Sequence, residues 1–369
     1  MPKINLDTSK CVAYSSKHSN CDLCQNICPT NAIDITENRV SFIYNSCVEC
    51  GGCVGICPTQ SLTLESFNTT KFFIEFLKDE ENLISCKKNI PCLSILSIEH
   101  LIALKIQRDF DLDIGHCKEC YIKESLLNKI ENNIKEANYV LNALGVDKTI
   151  EAKEIKYNKI EEIKEEEKSE NNKDNRRNFL KRFSLKGAVE TKVKFDDEVT
   201  NIDKTKTLID IDSDKSSKKR EKFVPDKRKI LYTSIKSLQK PQNYSYLNSE
   251  DVSFTSNKLI NSSCNNCSIC YRICPSGALN SDKKNSTIYF DSLLCLKCNL
   301  CHDVCELNSV EFIPIYSKEF FEPKNRVLAE FKIKRCNECN NLFTYIGGEQ
   351  ICKRCRIEEE EAIHLWRLN

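Results

Sequence analysis

Cysteines spaced for metal binding dominate the sequence. The chain has 24 cysteines in 369 residues, and most of them stand in C-x2-C pairs. Cysteines this close together are well placed to bind one metal centre and poorly placed to form disulfides with one another. The run C-x2-C-x2-C-x3-C occurs twice in the second half, at Cys264, Cys267, Cys270 and Cys274, and at Cys295, Cys298, Cys301 and Cys305. This spacing favours iron-sulfur clusters and predicts electron transfer.

The first half carries a similar pattern with one cysteine missing. One complete run consists of Cys47, Cys50, Cys53 and Cys57. The run before it keeps only its last three cysteines, Cys21, Cys24 and Cys28. His18 occupies the position of the missing first cysteine. In both halves the cysteines are followed by short segments of alternating apolar residues, which predict small hairpin strands.

Each half resembles a bacterial dicluster 4Fe-4S ferredoxin, over about residues 1–66 and 246–316, and the pair of modules resembles a polyferredoxin. In that family the last cysteine of each run binds the cluster of the other run. The resemblance therefore implies about four clusters, of which three have complete ligand sets. These sets are Cys28 with Cys47, Cys50 and Cys53; Cys305 with Cys264, Cys267 and Cys270; and Cys274 with Cys295, Cys298 and Cys301.

The fourth set, which contains Cys21, Cys24 and Cys57, lacks one ligand. We expect Cys11 to complete it, because nine residues separate Cys11 from Cys21 and this length allows the chain to loop back. Thiolate is also the ligand that best suits iron-sulfur clusters. The alternatives are His18 as the ligand, which would raise the reduction potential, or a site that holds three irons or no cluster.

Residues 67–150 do not follow the ferredoxin pattern. Their periodicity predicts the order strand, helix, strand, helix, which is typical of an α/β unit with parallel strands. Ligands bind such units at the carboxyl ends of the strands, and four cysteines fall there: Cys86, Cys92, Cys117 and Cys120. The segment resembles small iron-sulfur subunits of hydrogenase and heterodisulfide-reductase assemblies. We favour a 2Fe-2S cluster or zinc at these cysteines, with a redox-active dithiol or inert buried thiols as alternatives.

Residues 151–245 are predicted to form a charged, flexible linker. The stretch is rich in lysine, glutamate and asparagine and has little apolar periodicity, which is typical of disorder. From Arg176 to Lys240 there are 19 lysines and arginines against 10 aspartates and glutamates. A nucleic-acid or acidic partner is one interpretation of this basic stretch, but we favour a solvated tether. On such a tether the two halves would move independently.

Residues 321–369 contain a different metal-binding motif. Two C-x2-C pairs are separated by twelve residues: Cys336, Cys339, Cys352 and Cys355. Two such pairs joined by a hairpin predict a zinc ribbon, here followed by a terminal helix. Rubredoxin-type iron is the alternative. It is disfavoured because Asn340 and Arg356 stand where rubredoxins usually have glycine.

The sequence as a whole predicts an α+β multidomain protein. Its parts are a dicluster ferredoxin module (1–66), a small α/β cysteine domain (67–150), a linker (151–245), a second dicluster module (246–320) and a zinc ribbon (321–369). No stretch reaches the roughly 18 apolar residues that a membrane span needs, and the amino terminus has no apolar leader. We therefore expect a cytoplasmic protein without a membrane span. The net charge of +1 does not indicate a particular partner.

The predicted function is electron transfer through 4Fe-4S clusters, to or from redox partners of the dehydrogenase or hydrogenase type. We expect no catalytic residues and no nucleic-acid partner, because no substrate pocket, nucleotide loop or catalytic triad is evident. Two alternatives belong to other classes. The cysteines between residues 86 and 120 would form a thiol-disulfide or heterodisulfide-type reductase, or the chain would act as a maturation factor for a redox enzyme.

Overall fold

The computed structural model describes residues 4–155 and 221–366. The chain divides into two units, of which the first comprises Met1–Leu112, Cys120–Ala152 and Lys219–Asn369. The second comprises Asp113–Glu119 and Lys153–Lys218. Most of the predicted linker, from 156 to 220, lies outside the described residues, and so does most of its basic stretch. No helix within the described ranges is both long enough and apolar enough to cross a membrane.

Most of the described strands and helices are short, as expected for small metal-binding modules, although one helix, Lys123–Ala143, has 21 residues. The strands are β1 (Ile4–Leu6), β2 (Ile33–Thr36), β3 (Arg39–Phe42), β4 (Leu62–Leu64), β5 (Leu83–Ile84), β6 (Asp111–Asp113), β7 (Glu151–Lys153), β8 (Tyr246–Leu247), β9 (Asn257–Ile260), β10 (Leu279–Ser281), β11 (Thr287–Phe290), β12 (Val310–Ile313), β13 (Ile315–Tyr316), β14 (Arg326–Glu330), β15 (Ile333–Arg335) and β16 (Leu342–Thr344). The α-helices are α1 (Leu23–Asn26), α2 (Gly52–Ile56), α3 (Thr69–Phe76), α4 (Ile98–Gln107), α5 (Lys123–Ala143), α6 (Asp226–Lys236), α7 (Ile269–Ile273), α8 (Leu300–Asp303), α9 (Lys318–Phe321) and α10 (Lys353–Trp366).

The two ferredoxin-like modules have the same topology. In the amino-terminal module β1 pairs antiparallel with β4, and β2 forms a hairpin with β3. In the second module β9 pairs antiparallel with β12, and β10 forms a hairpin with β11. Apolar residues alternate along these strands, so one face of each pair is buried. The hairpin of the second module gains a third strand, β14, from the segment assigned to the ribbon.

The middle domain contains the predicted parallel strands. Leu83 and Ile84 of β5 pair in parallel with Asp111 and Leu112 of β6, and α4 connects the two strands. The strand β7 extends this sheet in the order β5, β6, β7. The helix α4 is buried over most of its length and packs against both α5 and α6. A capping box between Ser97 and His100 fixes its amino terminus, so His100 has a structural role.

The described part of the second unit consists of two short segments, residues 113–119 and 153–155. The backbone N–H of Ile114 donates to the carbonyl of Lys153, and the Asp113 carboxylate accepts from the backbone N–H groups of Gly115 and Ile155. A Cβ at Gly115 would lie 2.2 Å from the carbonyl oxygen of Ile155, so the close approach of these two segments requires glycine there.

The carboxyl-terminal end of the predicted linker is folded. Residues 226–236 form α6, which buries Ile230, Leu231 and Ile235. These residues follow a helical apolar spacing that the surrounding lysines and arginines obscure in the sequence. Both ferredoxin-like modules belong to the same unit as α6. That the two halves move independently stays a prediction.

Candidate metal centres

Four cavities in the described residues are each lined by four cysteines. Site 1 is lined by Cys28, Cys47, Cys50 and Cys53. Site 2 is lined by Cys11, Cys21, Cys24 and Cys57. Site 3 is lined by Cys274, Cys295, Cys298 and Cys301. Site 4 is lined by Cys264, Cys267, Cys270 and Cys305. The structure thus brings together the four sets that the ferredoxin resemblance implies, with Cys11 in the incomplete one.

The last cysteine of each run is held by the same backbone hydrogen bond. Its sulfur accepts an N–H from a residue four or five positions later: Ala32 to Cys28 at 3.2 Å, Ser61 to Cys57 at 3.4 Å, Leu279 to Cys274 at 3.5 Å and Ser309 to Cys305 at 3.2 Å. Cys305 keeps this bond although Glu306 replaces the proline that follows the other three. N–H···S bonds of this kind stabilise thiolate ligands and tune cluster potentials.

Three of the cysteine loops share an unusual backbone conformation. The residues before and after the second cysteine have positive φ: Glu49 (52°) and Gly51 (74°), Asn266 (57°) and Ser268 (69°), Lys297 (45°) and Asn299 (60°). Alternating handedness turns successive N–H groups to one side and forms a concave site suited to an anion. An iron-sulfur cluster with four thiolates carries net negative charge, so these loops fit that group.

The loop of site 2 has a different conformation. Asp22, between its two cysteines, has a φ of −126°. Cys11 reaches the cavity from an upstream turn in which its backbone N–H donates to the carbonyl of Asp7 at 3.2 Å. Cys11 is buried, whereas the side chain of His18 is exposed. The geometry therefore favours Cys11 over His18, and its assignment as a ligand stays a prediction.

Without a metal ion, burial disfavours the deprotonated form of these thiols. It raises the pKa of Cys21, Cys24 and Cys270 to about 12 in each case, and neighbouring thiolates add to the effect. A buried thiol can become a thiolate ligand only if a nearby positive charge stabilises the deprotonated sulfur. Iron ions at the centre of each cavity would supply that charge.

Site 1 is packed against the middle domain. The 3-10 turn Leu93–Ile95 lies on the loop of site 1 so closely that a Cβ at Gly55 would lie 2.1 Å from the carbonyl oxygen of Ser94. Cys92, just before this turn, accepts a hydrogen bond from the Ser94 hydroxyl at 3.3 Å and interacts electrostatically with Cys50. A thiol of the middle domain therefore lies beside site 1.

The other cysteines of the middle domain are less well defined as a set. Cys86, Cys92 and Cys120 belong to the first unit, and Cys117 belongs to the second. That the four bind one metal centre stays a prediction. The helix α5 begins at Lys123, three residues after Cys120, whose carbonyl accepts the backbone N–H of Lys123 at 3.1 Å.

Sites 2 and 3 meet where the two modules contact each other. Val12 of the first module packs against Leu300 and Val304 of the second, and Cys21 and Cys298 lie against this apolar contact. Beside it, the backbone N–H and the side-chain amide of Asn20 both donate to the Asp303 carboxylate at 3.1 Å. One cysteine from each module thus borders the same interface.

The helix α6 fixes this junction from one side. Lys227 donates to the carbonyl of Cys57 at 2.8 Å, and Arg228 donates to the carbonyl of Cys295 at 2.8 Å. Both cations pair with the buried carboxylate of Glu99, at 3.0 and 2.8 Å. Burial alone would raise the pKa of Glu99, but Lys227 and Arg228 hold it below its usual value. One buried ion triad therefore connects the backbones of sites 2 and 3.

The ribbon cysteines form a smaller and tighter group. The sulfur atoms of Cys336, Cys339, Cys352 and Cys355 all lie within 4.8 Å of one another. The sulfurs of Cys339 and Cys352 are 3.7 Å apart. A tetrahedral ion with metal–sulfur bonds of about 2.3 Å requires an edge of about 3.8 Å, so the group fits one metal ion. Backbone N–H groups of Cys339 and Cys352 lower the pKa of Cys336, whereas hydrogen bonds with the other sulfurs, Cys339 first, raise the pKa of Cys355, so these thiols titrate together.

Comparison with known proteins supports the assignment of both modules. The family model of the 4Fe-4S dicluster domain matches residues 263–309, which include all the cysteines of sites 3 and 4. The model of the LdpA Fe-S cluster-binding domain matches residues 18–68, which include the cysteines of sites 1 and 2 except Cys11. No curated protein and no solved structure matches the chain. The chain thus carries iron-sulfur cluster-binding domains in both halves.

Proposed function

We propose that the protein transfers electrons through four 4Fe-4S clusters held in one continuous row at sites 1 to 4. The sixteen cysteines that line these sites would be the ligands. Bound clusters would supply the one-electron redox chemistry. The residues of the chain hold the sulfurs, exclude water and set the spacing between sites.

The contact between the two modules is the observation that carries this proposal. Electron tunnelling slows steeply with distance, so a path needs ligands of successive sites close to one another. Cys53 and Cys24 interact electrostatically between sites 1 and 2, and Cys301 and Cys270 do so between sites 3 and 4. The apolar contact beside Cys21 and Cys298 closes the remaining step.

One end of the row, at site 4, suggests where a partner would exchange electrons. At site 4 the side chain of Cys267 is exposed, so a redox partner of the dehydrogenase or hydrogenase type would dock there. The ribbon lies close to this end, because the Asn266 amide donates to the Thr344 hydroxyl at 3.0 Å. We propose that the ribbon binds zinc and supports that docking face, since a closed shell of four thiolates leaves no position for catalysis.

Metal analysis and electron paramagnetic resonance of the full chain test the proposal. Anaerobically reconstituted protein should contain about sixteen irons at sites 1 to 4 and about one zinc at the ribbon, in addition to any metal bound by the cysteines of the middle domain. The fully reduced protein should show spin–spin interaction that extends across both modules. Asn20→Asp, which places a second carboxylate beside Asp303, should weaken that interaction, whereas Asn45→Asp on an exposed turn should not. Four non-interacting signals would disprove a continuous row, and an iron content near zero would disprove the function.

A thiol-disulfide reductase is the second candidate, and the position of Cys92 beside Cys50 favours it. In that reaction a disulfide of the middle domain would take two electrons and two protons to become two thiols. Alkylation of the reduced and the oxidised full chain distinguishes the candidates. A reductase should protect Cys86 or Cys92 from alkylation only when oxidised. Protection in both states would indicate a bound metal and discard the reductase.

A further inference from the structure

The four cavities differ in the charged residues that line them. Among the described lining residues, site 3 has two cations, Lys258 and Lys297. Site 1 has Glu49, site 4 has Glu306, and the described lining of site 2 contains no charged side chain. The charge around the row is therefore positive at one inner site and negative at its two ends.

The fold holds Lys258 rigidly against a cysteine of site 3. Its strand β9 pairs with β12, and Lys258 stands opposite Phe312 with its ammonium 4.2 Å from the centre of the ring. The ammonium donates to Nε2 of His302 at 2.8 Å, lines the cavity of site 3 together with Cys301 and interacts electrostatically with the sulfur of Cys301. The side chain is 2% exposed. Water therefore screens this charge only weakly.

The second cation reinforces the first from the loop itself. Lys297 lies between Cys295 and Cys298 and is half-buried. Its ammonium donates to the carbonyls of Ser249 and Val252, and it lies 5.4 Å from the centre of the Phe312 ring. Both lysines thus lie on the same side of site 3 around one aromatic ring.

We propose that site 3 has the most positive reduction potential of the four, set chiefly by Lys258, and so collects electrons from both ends of the row. Cluster potentials depend on the net charge, the hydrogen bonds to sulfur and the solvent exposure of the site. Reduction adds a negative charge, so a buried cation beside a ligand sulfur stabilises the reduced form. This inference rests on the proposed function.

A redox titration of the full chain, followed by electron paramagnetic resonance, tests the inference. In the wild-type protein the signal of site 3, identified as the one changed by Cys298→Ser, should be the first to be reduced. Lys258→Met conserves the length of the side chain and removes the charge. It should disfavour reduction of that one cluster at least about tenfold, a shift of about 59 mV to more negative potential for a one-electron couple.

Two matched variants separate charge from packing. Lys258→Arg keeps the cation and should restore most of the potential. Lys284→Met removes an exposed lysine of the same module and should change no potential. If Lys258→Met cannot hold the cluster of site 3, Lys297→Met must shift the same signal in the same direction by a smaller amount.

Two results would overturn the inference. One is that all four clusters bind but the signal of site 3 is not the first to be reduced. The other is that neither lysine variant shifts its potential. A chain that binds no clusters would instead disprove the proposed function itself, so the two failures are distinguishable by iron content.

Discussion

The two ferredoxin-like modules have the same strand pairing but differ in how they supply their cysteines. In the second module each site takes three sulfurs from one loop and one from the other run. In the first module site 2 takes only two from its loop, and Cys11 enters from an upstream turn. The loop of site 2 also has ordinary φ at Asp22. A loop that presents two cysteines does not need the alternating handedness that three cysteines require.

The modules also differ in what packs on their loops. Gly51 of the first module is buried under Ile95 of the middle domain, whereas Asn299 occupies the equivalent position of the second module and is exposed. The first module therefore forms an interface with the α/β domain through the loop that surrounds site 1. In the second module, Leu300 and Val304, which follow Asn299 in the chain, contact the first module instead.

The largest predicted effect concerns the ligand from outside the loop. Cys11→Ser should lose or convert one cluster, so that the iron content falls by about four per chain or by about one if a three-iron cluster remains. Cys264→Ser removes the regular first cysteine of site 4 and should have the same effect in the second module. Iron analysis and electron paramagnetic resonance of the full chain measure both.

His18→Ala is the matched control for this prediction. The exposed imidazole should be dispensable, with all four cluster signals unchanged. A normal Cys11→Ser protein together with a His18→Ala protein that lacks a cluster would transfer the ligand assignment to His18. The two modules would then differ in ligand chemistry as well as in loop geometry.

The second prediction tests how far the modules depend on each other. Arg228 is 1% exposed, pairs with Glu99 and donates to the carbonyls of Leu293 and Cys295. Arg228→Ala would leave a buried carboxylate with one partner fewer, which typically costs about 3–5 kcal/mol of stability. Chemical denaturation followed through the cluster absorbance should show the junction between the modules opening at lower denaturant concentration.

Lys229→Ala provides the control on the same helix. Lys229 pairs with Asp226 on the surface, at 3.4 Å, and such pairs contribute about 0–1 kcal/mol. An Arg228→Ala protein as stable as Lys229→Ala would mean that the ion triad does not hold the junction. The modules would then be coupled by other contacts, such as those of Val12 and the hydrogen bonds of Asn20.

The sequence was informative where chemistry fixes spacing and poor where tertiary contacts decide the structure. The cysteine runs predict which sulfurs line each cavity through the ferredoxin resemblance, because in that family the last cysteine of each run binds the cluster of the other run. The linker was harder, since the lysines and arginines around Ile230 and Leu231 resemble a solvated tract. Only the partners in space, Glu99 and the carbonyls of Cys57 and Cys295, show why Lys227 and Arg228 are buried.

The role of Lys258 was equally hard to predict from sequence. In the sequence it is an ordinary polar residue in a short strand between Asn257 and Leu259. Its importance depends on Phe312, opposite it in β12, and on Cys301, from another loop. The contact of Val12 with Leu300 is likewise a meeting of segments far apart in the chain, and no local pattern indicates it.

The last prediction returns to the glycine that distinguishes the two modules. Gly51 has a φ of 74°, and a Cβ there would lie 2.4 Å from Cδ1 of Ile95. Gly51→Ala should therefore combine the cost of left-handed backbone, about 1–2 kcal/mol, with overpacking of about 1–3 kcal/mol.

Asn299 has nearly the same conformation, with a φ of 60°, but is exposed. Asn299→Gly should change stability by less than about 1 kcal/mol, because relief of backbone strain offsets the greater entropy of the unfolded chain. Denaturation midpoints of the two cluster-loaded variants measure the contrast. A cost of Gly51→Ala no larger than the about 1–2 kcal/mol of left-handed backbone would mean that backbone conformation alone selects glycine at residue 51, and that packing of the middle domain on site 1 contributes nothing.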